Sequence, residues 1–385
     1  MADTYDYIVV GLGGLGSATA WELARRGHRV LGLERFELGH ARGASHDTSR
    51  ILRHSYHTPA YVRLTQEAYA DWARLEREAG TSLVTTTGGV DLFPPDPAIA
   101  PVDYTQSMDE VGIAYEALDA DQVMVRWPQL RVPQGTLGLF QADAGIVPAG
   151  RTTAVLHDRA RSLGAVLRDH SPVLGLEDLG DAGVRVTTDG AEVTARGVVV
   201  AADAWVNDVV GHLGLRIPLE VTLEQVTYFG LEHPDRFAHL PLWIWMDDPS
   251  FYGFPTYGEG TVKAAQDCGG PSVDPDDRTS DPDPAMEARL VQHMQRMLPG
   301  VGPAVRRLRC QYTLTPDRDF VMAPVPGHER VVVGLGAAHG FKFVPTFGRV
   351  LADLVTTGET RSDVSAFGLD RPALTEPDYQ AHWLV

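Results

Sequence analysis

Lysine is nearly missing from this 385-residue chain: among 33 basic residues only Lys263 and Lys342 are lysines, and the rest are arginine. Cysteine is as scarce. Cys268 and Cys310 stand alone, too few for a disulfide framework or a multi-cysteine zinc site. No stretch approaches 18 consecutive apolar residues, and the opening Met-Ala-Asp-Thr-Tyr-Asp-Tyr has neither a basic nor a long apolar segment. The expectation is a soluble, cytoplasmic chain with no membrane partner. Positive charge is also short, 33 basic against 51 acidic residues for a net charge of -18. A nucleic-acid binder of that balance would need a strong local basic patch, and none shows. Internal repeats and long low-complexity tracts are absent. What is present is an ordinary globular composition, 44% hydrophobic and 22% charged, with a length that suggests two domains.

The two lysines are informative because biased codon usage explains arginine wherever a solvated positive charge suffices, but not why two positions stayed lysine. An ammonium is a compact point charge whose pKa falls on burial, which a guanidinium cannot imitate. Both sit in apolar, glycine-containing surroundings, Gly260-Thr-Val-Lys263-Ala-Ala and His339-Gly-Phe-Lys342-Phe-Val. At least one is therefore expected to be functional.

Tyr7 to Val10 reads as a buried strand, followed by Gly11-Leu12-Gly13-Gly14-Leu15-Gly16 and a helical pattern from Ala18 to Arg26 that Gly27 ends. A second strand, Arg29 to Leu33, leads into Glu34-Arg35. This is the βαβ dinucleotide fingerprint in its required context. The glycines permit a tight turn and a pyrophosphate at the helix N-terminus, and the acid takes ribose hydroxyls. Gly197 to Ala202 and Val331 to Gly336 are two further strand-to-loop signals, the second continuing into a helical pattern from Thr346 to Thr356. Between Ala165 and Thr194, alternating runs split by glycines suggest a small antiparallel meander. Residues 84–148 and 221–319 hold many aromatics and strand-like patterns such as Leu223 to Leu231, and Pro271 to Pro284 reads as a surface loop. The expected fold is α/β (α+β overall). A discontinuous doubly wound βαβ domain (1–83, 149–220 and 320–385) carries an inserted, mostly antiparallel substrate domain (84–148 and 221–319).

A nicotinamide enzyme completes its cofactor site within one compact domain. Here a strand, glycine-rich turn and helix recur within the C-terminal 60 residues, which suits a flavin whose ring reaches beyond the adenine half. The residues then become specific. Gly43-Ala-Ser-His-Asp-Thr-Ser-Arg50-Ile-Leu-Arg53-His, Phe251-Tyr-Gly-Phe-Pro255, Gly260-Thr-Val-Lys263, Arg309-Cys310-Gln-Tyr312-Thr313-Leu-Thr-Pro-Asp317 and His339-Gly-Phe-Lys342-Phe join the N-terminal fingerprint. On these motifs the chain resembles, nearly end to end, the D-amino-acid-oxidase-like flavoproteins, and within them the monomeric sarcosine oxidase and N-methyltryptophan oxidase family.

The resemblance implies FAD bound covalently through Cys310, with Gly11, Gly13, Gly14, Leu15, Gly16, Glu34, Arg35, Ser45, His46, Ser49, Arg50, Val173, Gly336, His339, Gly340, Phe341 and Lys342 around it. It places Lys263 near flavin N5 as the residue promoting reaction with O2, Arg53 and Lys342 on the substrate carboxylate, Arg50 against the flavin ring, and Tyr252 and Tyr312 around the substrate. Arg50 and Arg53 are expected to share a face of a short helix. Cys268 has no such context. One departure stands out: where the sarcosine and N-methyltryptophan enzymes carry a histidine, this chain has Asp267, an anion expected to repel a nearby carboxylate or attract an ammonium. The expected function is a monomeric, FAD-dependent oxidase of secondary amino acids that makes an imine and hydrogen peroxide and uses no metal. A proline- or pipecolate-type oxidase, a flavin dehydrogenase using the same site, and a non-catalytic binding protein are the alternatives.

Overall fold

The valine-rich runs without alternation lie where such runs belong, inside a parallel sheet covered on both faces. The computed structural model describes residues 5–383. In it six strands line up in the order Val321–Val325, His328–Leu335, Gly197–Val200, Tyr7–Val10, Val30–Leu33 and Val166–Arg168. All neighbours are parallel except the first two, which are antiparallel. Tyr7 stands opposite both Gly197 and Val30, and Val10 opposite both Val200 and Leu33. Along Tyr7–Val10 the side chains alternate between two cores. Val9 joins the helices Gly14–Arg25, Ala149–Ser162 and Val344–Thr357; Ile8 and Val10 join the meander Val173–Asp178, Val184–Thr188 and Ala191–Ala195. The first and last of those helices touch backbone to backbone, since a Cβ on Gly348 would stand 2.5 Å from the carbonyl carbon of Ala18.

Glu22, in the first helix, is the charged knot of this layer. It pairs with Arg25 at 2.7 Å, Arg74 at 2.9 Å and Arg26 at 3.1 Å. Burial pushes its carboxyl up, but the hydrogen bonds and charges of Arg25 and Arg74 overrule this and hold it at about 2.

A second sheet of eight strands draws on residues 89–141 and 220–314, in the order Ala304–Leu314, Glu220–Gly230, Thr261–Gln266, Phe251–Phe254, Leu242–Trp245, Gly89–Phe93, Leu137–Gln141 and Glu116–Leu118. It is antiparallel except where Leu242–Trp245 meets Gly89–Phe93. Trp243, Phe251 and Phe229 of this sheet pack with Leu290 and Met294 of the helix Pro284–Met297. Asp283 starts that helix by accepting the backbone N–H groups of Ala285 and Met286, so Pro284 belongs to the helix and the surface loop ends before it.

Three expectations need correction. The first helix begins at Gly14, so the last glycines of the fingerprint lie inside it. Val166–Arg168 leaves the meander and pairs in parallel with Val30–Leu33, because the helix Ala149–Ser162 carries the chain back as a crossover. Arg50 is not on a helix: Arg50–Leu52 is a strand, antiparallel to Gly145–Val147. Period-two alternation sends the side chains of Arg50 and Arg53 to different partners. No helix among the described residues is long and apolar enough to cross a membrane.

Candidate active site

A cavity of about 590 Å³ opens at the carboxyl ends of the parallel strands, where Val10, Leu33, Ala201 and Leu335 hand over to loops. Such crevices are the ligand sites of open α/β sheets. Gly11 turns the chain at φ 86°, and a Cβ there would stand 2.5 Å from the oxygen of Ala201. The N–H of Gly14 donates to Ser45 Oγ at 2.8 Å, tying the first helix to the following loop. The Glu34 carboxylate accepts the N–H of Leu12 at 2.8 Å and of Phe36 at 3.1 Å, with His40 Nε2 at 3.3 Å. Burial pushes this carboxyl up, and those hydrogen bonds more than offset it, so it stays below the usual range. Arg35 lies at the rim, paired with Asp276 at 3.1 Å and stacked on Phe36.

A second cavity of about 120 Å³ adjoins the first across Arg50, Cys310, Tyr312, Ala338 and Phe341. Cys310 is buried with Sγ 4.0 Å from Arg50 Nη2, and burial raises its thiol. Arg50 also donates to the carbonyls of Ser49 and Ala44 at 2.8 Å each. Lys342 Nζ donates to Tyr56 Oη at 2.8 Å and to the carbonyl of His339 at 2.9 Å; burial pushes it well below the ordinary lysine value. Among the described residues no carboxylate pairs with either Arg50 or Lys342. Lys342, buried, and Arg50, half-buried, therefore face the smaller cavity with no ion-pair partner among the described residues. The hydroxyls of Tyr252 and Tyr312 lie 3.4 Å apart in its wall.

The remaining sequence-selected residues are placed unevenly. Gly11, Gly13, Gly14, Leu15, Glu34, Arg35, Ser45, Val173, Gly336, Gly340 and Phe341 line the larger cavity. His46, His339, Lys342, Arg53, Tyr252 and Asp267 line the smaller one. Gly16, Ser49 and Lys263 line neither. A Cβ on Gly16 would stand 1.8 Å from the oxygen of Gly11, so this glycine serves the turn-to-helix packing. Ser49 instead accepts from Lys263 Nζ through both its carbonyl and its hydroxyl, at 3.1 Å each. His339 is fixed between Tyr56 Oη and the Arg318 carbonyl, at 2.9 Å each.

Four partners were not apparent from the sequence. Asp91 pairs with Arg53 Nη1 at 2.7 Å, so Arg53 is not a free cation. Asp47 pairs with Lys263 Nζ at 2.6 Å, and Tyr228 donates to Asp47. Arg318 clamps Asp267 through two nitrogens at 2.8 and 2.9 Å. The expected anion at Asp267 therefore has a partner: the pair with Arg318 carries no net charge towards a substrate. Arg318 follows the Cys310–Asp317 motif directly, the one signal that could have drawn attention to it.

The larger cavity suits a dinucleotide on its own chemistry. Its glycine turn leaves backbone N–H groups at a helix start, and the Glu34 carboxylate lies in its lining. His46 Nε2 is unpartnered in the smaller cavity. Among the described residues no group of three or more His, Cys, Asp or Glu could hold a metal ion.

Known proteins agree with this geometry. The chain is similar to monomeric sarcosine oxidase of Streptomyces avermitilis, 36% identical with 95% of this chain and 97% of that one covered. It is similar to peroxisomal sarcosine oxidase of Homo sapiens, 32% identical with 96% of each covered. Its structure is similar to the open form of NikD, an unusual amino acid oxidase essential for nikkomycin biosynthesis, at 30% identity and a TM-score of 0.85 over 100% of this chain and 99% of that one. The description FAD dependent oxidoreductase matches residues 6–354. A dinucleotide crevice built from both ends of the sequence, opening on a small cavity with buried cations, is thus accounted for: the chain belongs to the FAD-dependent oxidoreductase family.

Proposed function

We propose that the chain is an FAD-dependent oxidase of secondary amino acids, with sarcosine-like N-methyl or cyclic amino acids as substrates. One observation carries the reading: half-buried Arg50 and buried Lys342, neither ion-paired with a described carboxylate, flank a small cavity beside the dinucleotide crevice. The larger cavity holds the cofactor, with Gly11 to Leu15 and Ser45 at the pyrophosphate, Glu34 at the ribose and Cys310 as the point of covalent attachment. When bound, FAD accepts the electrons and hydrogen released as the amine C–N bond becomes an imine. Lys342 takes the substrate carboxylate, whose negative charge favours the ammonium form that burial and the nearby arginines disfavour. Arg53, held by Asp91, supplies hydrogen-bond direction more than net charge, and Arg50 supports negative charge at the junction with the cofactor. Tyr252 and Tyr312 fix the amine end and exclude water. The free imidazole nitrogen of His46 is a weak base, because burial first and Arg50 second hold the ring at about 4, which suits a substrate that reacts as the neutral amine. Lys263 aids the reaction with O2, which leaves as hydrogen peroxide.

The test is an absorption spectrum before and after acid precipitation, followed by peroxide assays with sarcosine, other N-methyl amino acids, proline and pipecolate. Yellow colour retained in the pellet and lost in Cys310→Ala, with peroxide from at least one of these substrates, supports the reading. Flavin released from the wild type into the supernatant overturns covalent attachment. A loaded protein whose flavin no secondary amino acid reduces overturns the oxidase.

A further inference from the structure

Lys263 is a buried cation beside the site whose position rests on an ion pair from a distant loop. It lies on Thr261–Gln266 and ion-pairs with Asp47 Oδ2 at 2.6 Å; both side chains are at most 5% exposed. Asp47 sits in a loop at φ 77°, a left-handed conformation that Asp adopts more readily than most residues with a Cβ. The other carboxylate oxygen is gripped by the hydroxyl of Tyr228, on the neighbouring strand Glu220–Gly230, where Tyr228 stands directly opposite Lys263. Thr48 Oγ1 lies 3.0 Å from the same hydroxyl, and Arg306 covers the Tyr228 ring at 3.8 Å. The groups facing Lys263 are Asp47, Arg50, His46, Cys310 and Tyr228, and Asp47 is the one firmly anionic partner among them.

We propose that Asp47 and Tyr228 are positioning residues for the oxidative half of the reaction, fixing the Lys263 ammonium in place and keeping it charged where O2 is reduced. The inference rests on the assignment of Lys263 to the reaction with O2. Without Asp47 the buried ammonium would keep only the neutral acceptors of Ser49 beside the like charge of Arg50 and would lose its proton more readily, and an amine is no help to developing negative charge. In the structure burial and Arg50 bring Lys263 down to about 8, and Asp47 keeps it from falling further. Tyr228 acts through Asp47: it holds the carboxylate in one orientation, across a strand pair, so that the anion cannot swing towards Arg50.

The experiment uses the holoenzyme and the fact that the chain has only two lysines. Lysine labelled at Cε with carbon-13 gives two signals, assigned with Lys342→Met and followed against pH. Asp47→Asn keeps the shape and tolerates the left-handed backbone, and Tyr228→Phe keeps the ring under Arg306. In Asp47→Asn the Lys263 midpoint should fall by about 1–3 pH units, and reoxidation by O2 at pH 8 by about fivefold or more, with anaerobic reduction by substrate unchanged. Tyr228→Phe should move both in the same direction by less. A Lys263 midpoint unchanged in Asp47→Asn overturns the proposal. A shifted midpoint with unchanged reoxidation keeps Asp47 as the partner of Lys263 but overturns the role of Lys263 towards O2.

Discussion

Replacing Asp267 by alanine would leave the Arg318 guanidinium inside the protein, its side chain 4% exposed, with the carbonyl of Trp383 at 2.6 Å as its remaining acceptor. Removing one member of a buried ion pair costs about 3–5 kcal/mol, most of it the uncompensated charge left behind. Unfolding of 385 residues as one unit, at about 2.1 cal/mol/K per residue, carries about 0.8 kcal/mol/K, so Asp267→Ala should lower the melting temperature by about 4–6 °C. Arg318→Met leaves the Asp267 carboxylate, whose side chain is 20% exposed and reaches water, which is cheaper, at about 1–3 kcal/mol. The double variant removes both charges and restores apolar volume, so it should be about as stable as the wild type or more so. The assay is thermal unfolding of all four proteins at neutral pH, followed by circular dichroism and flavin fluorescence. Additive losses in the double variant, or an Asp267→Ala protein that melts with the wild type, would refute the pairing and return Asp267 to the cavity as a free anion.

Lys342→Met removes a charge-assisted contact and should raise KM for the amino acid about 10- to 100-fold at unchanged flavin content; an unmoved KM would take the carboxylate elsewhere. Gly16→Ala drives a methyl group into the oxygen of Gly11 and should yield protein purified without yellow colour, read as flavin absorbance relative to protein. Glu22→Gln should cost about 3–5 kcal/mol at neutral pH. Because the native carboxyl sits at about 2, below its unfolded value, that contribution is complete above about pH 4.5. The gap in urea midpoint between wild type and variant should therefore close as pH falls towards 2.

What could be read from the sequence was whatever is local. The strand Tyr7–Val10, its glycine turn, Glu34 and the valine runs at Gly197 and Val331 each carry their signal within a few residues, and they appear where expected. The stretch from Gly43 to His54 has no hydrophobic periodicity, so arginines three apart suggested a helix where hydrogen bonds to Gly145–Val147 impose a strand. Charge partners were the main omission. Asp91 and Arg53, Asp47 and Lys263, and Asp267 and Arg318 meet only because separate strands and loops converge, and no spacing in the chain encodes that meeting. The charge balance of the Asp267–Arg318 pair was invisible for this reason, although both its members were in plain view.

The strand order of the six-stranded sheet sets a timetable for biosynthesis. Tyr7–Val10 has Gly197–Val200 as one neighbour, and Gly197–Val200 waits in turn for His328–Leu335. Until that last partner emerges from the ribosome, a fully apolar strand lies at an open sheet edge, a surface prone to pairing with another chain. Contacts this distant in sequence also form slowly. The helix Val344–Thr357, which closes on Ala18 through Gly348, arrives later still. The wall of the cofactor crevice from Gly334 to Phe341 is thus missing until that part of the sequence has been made.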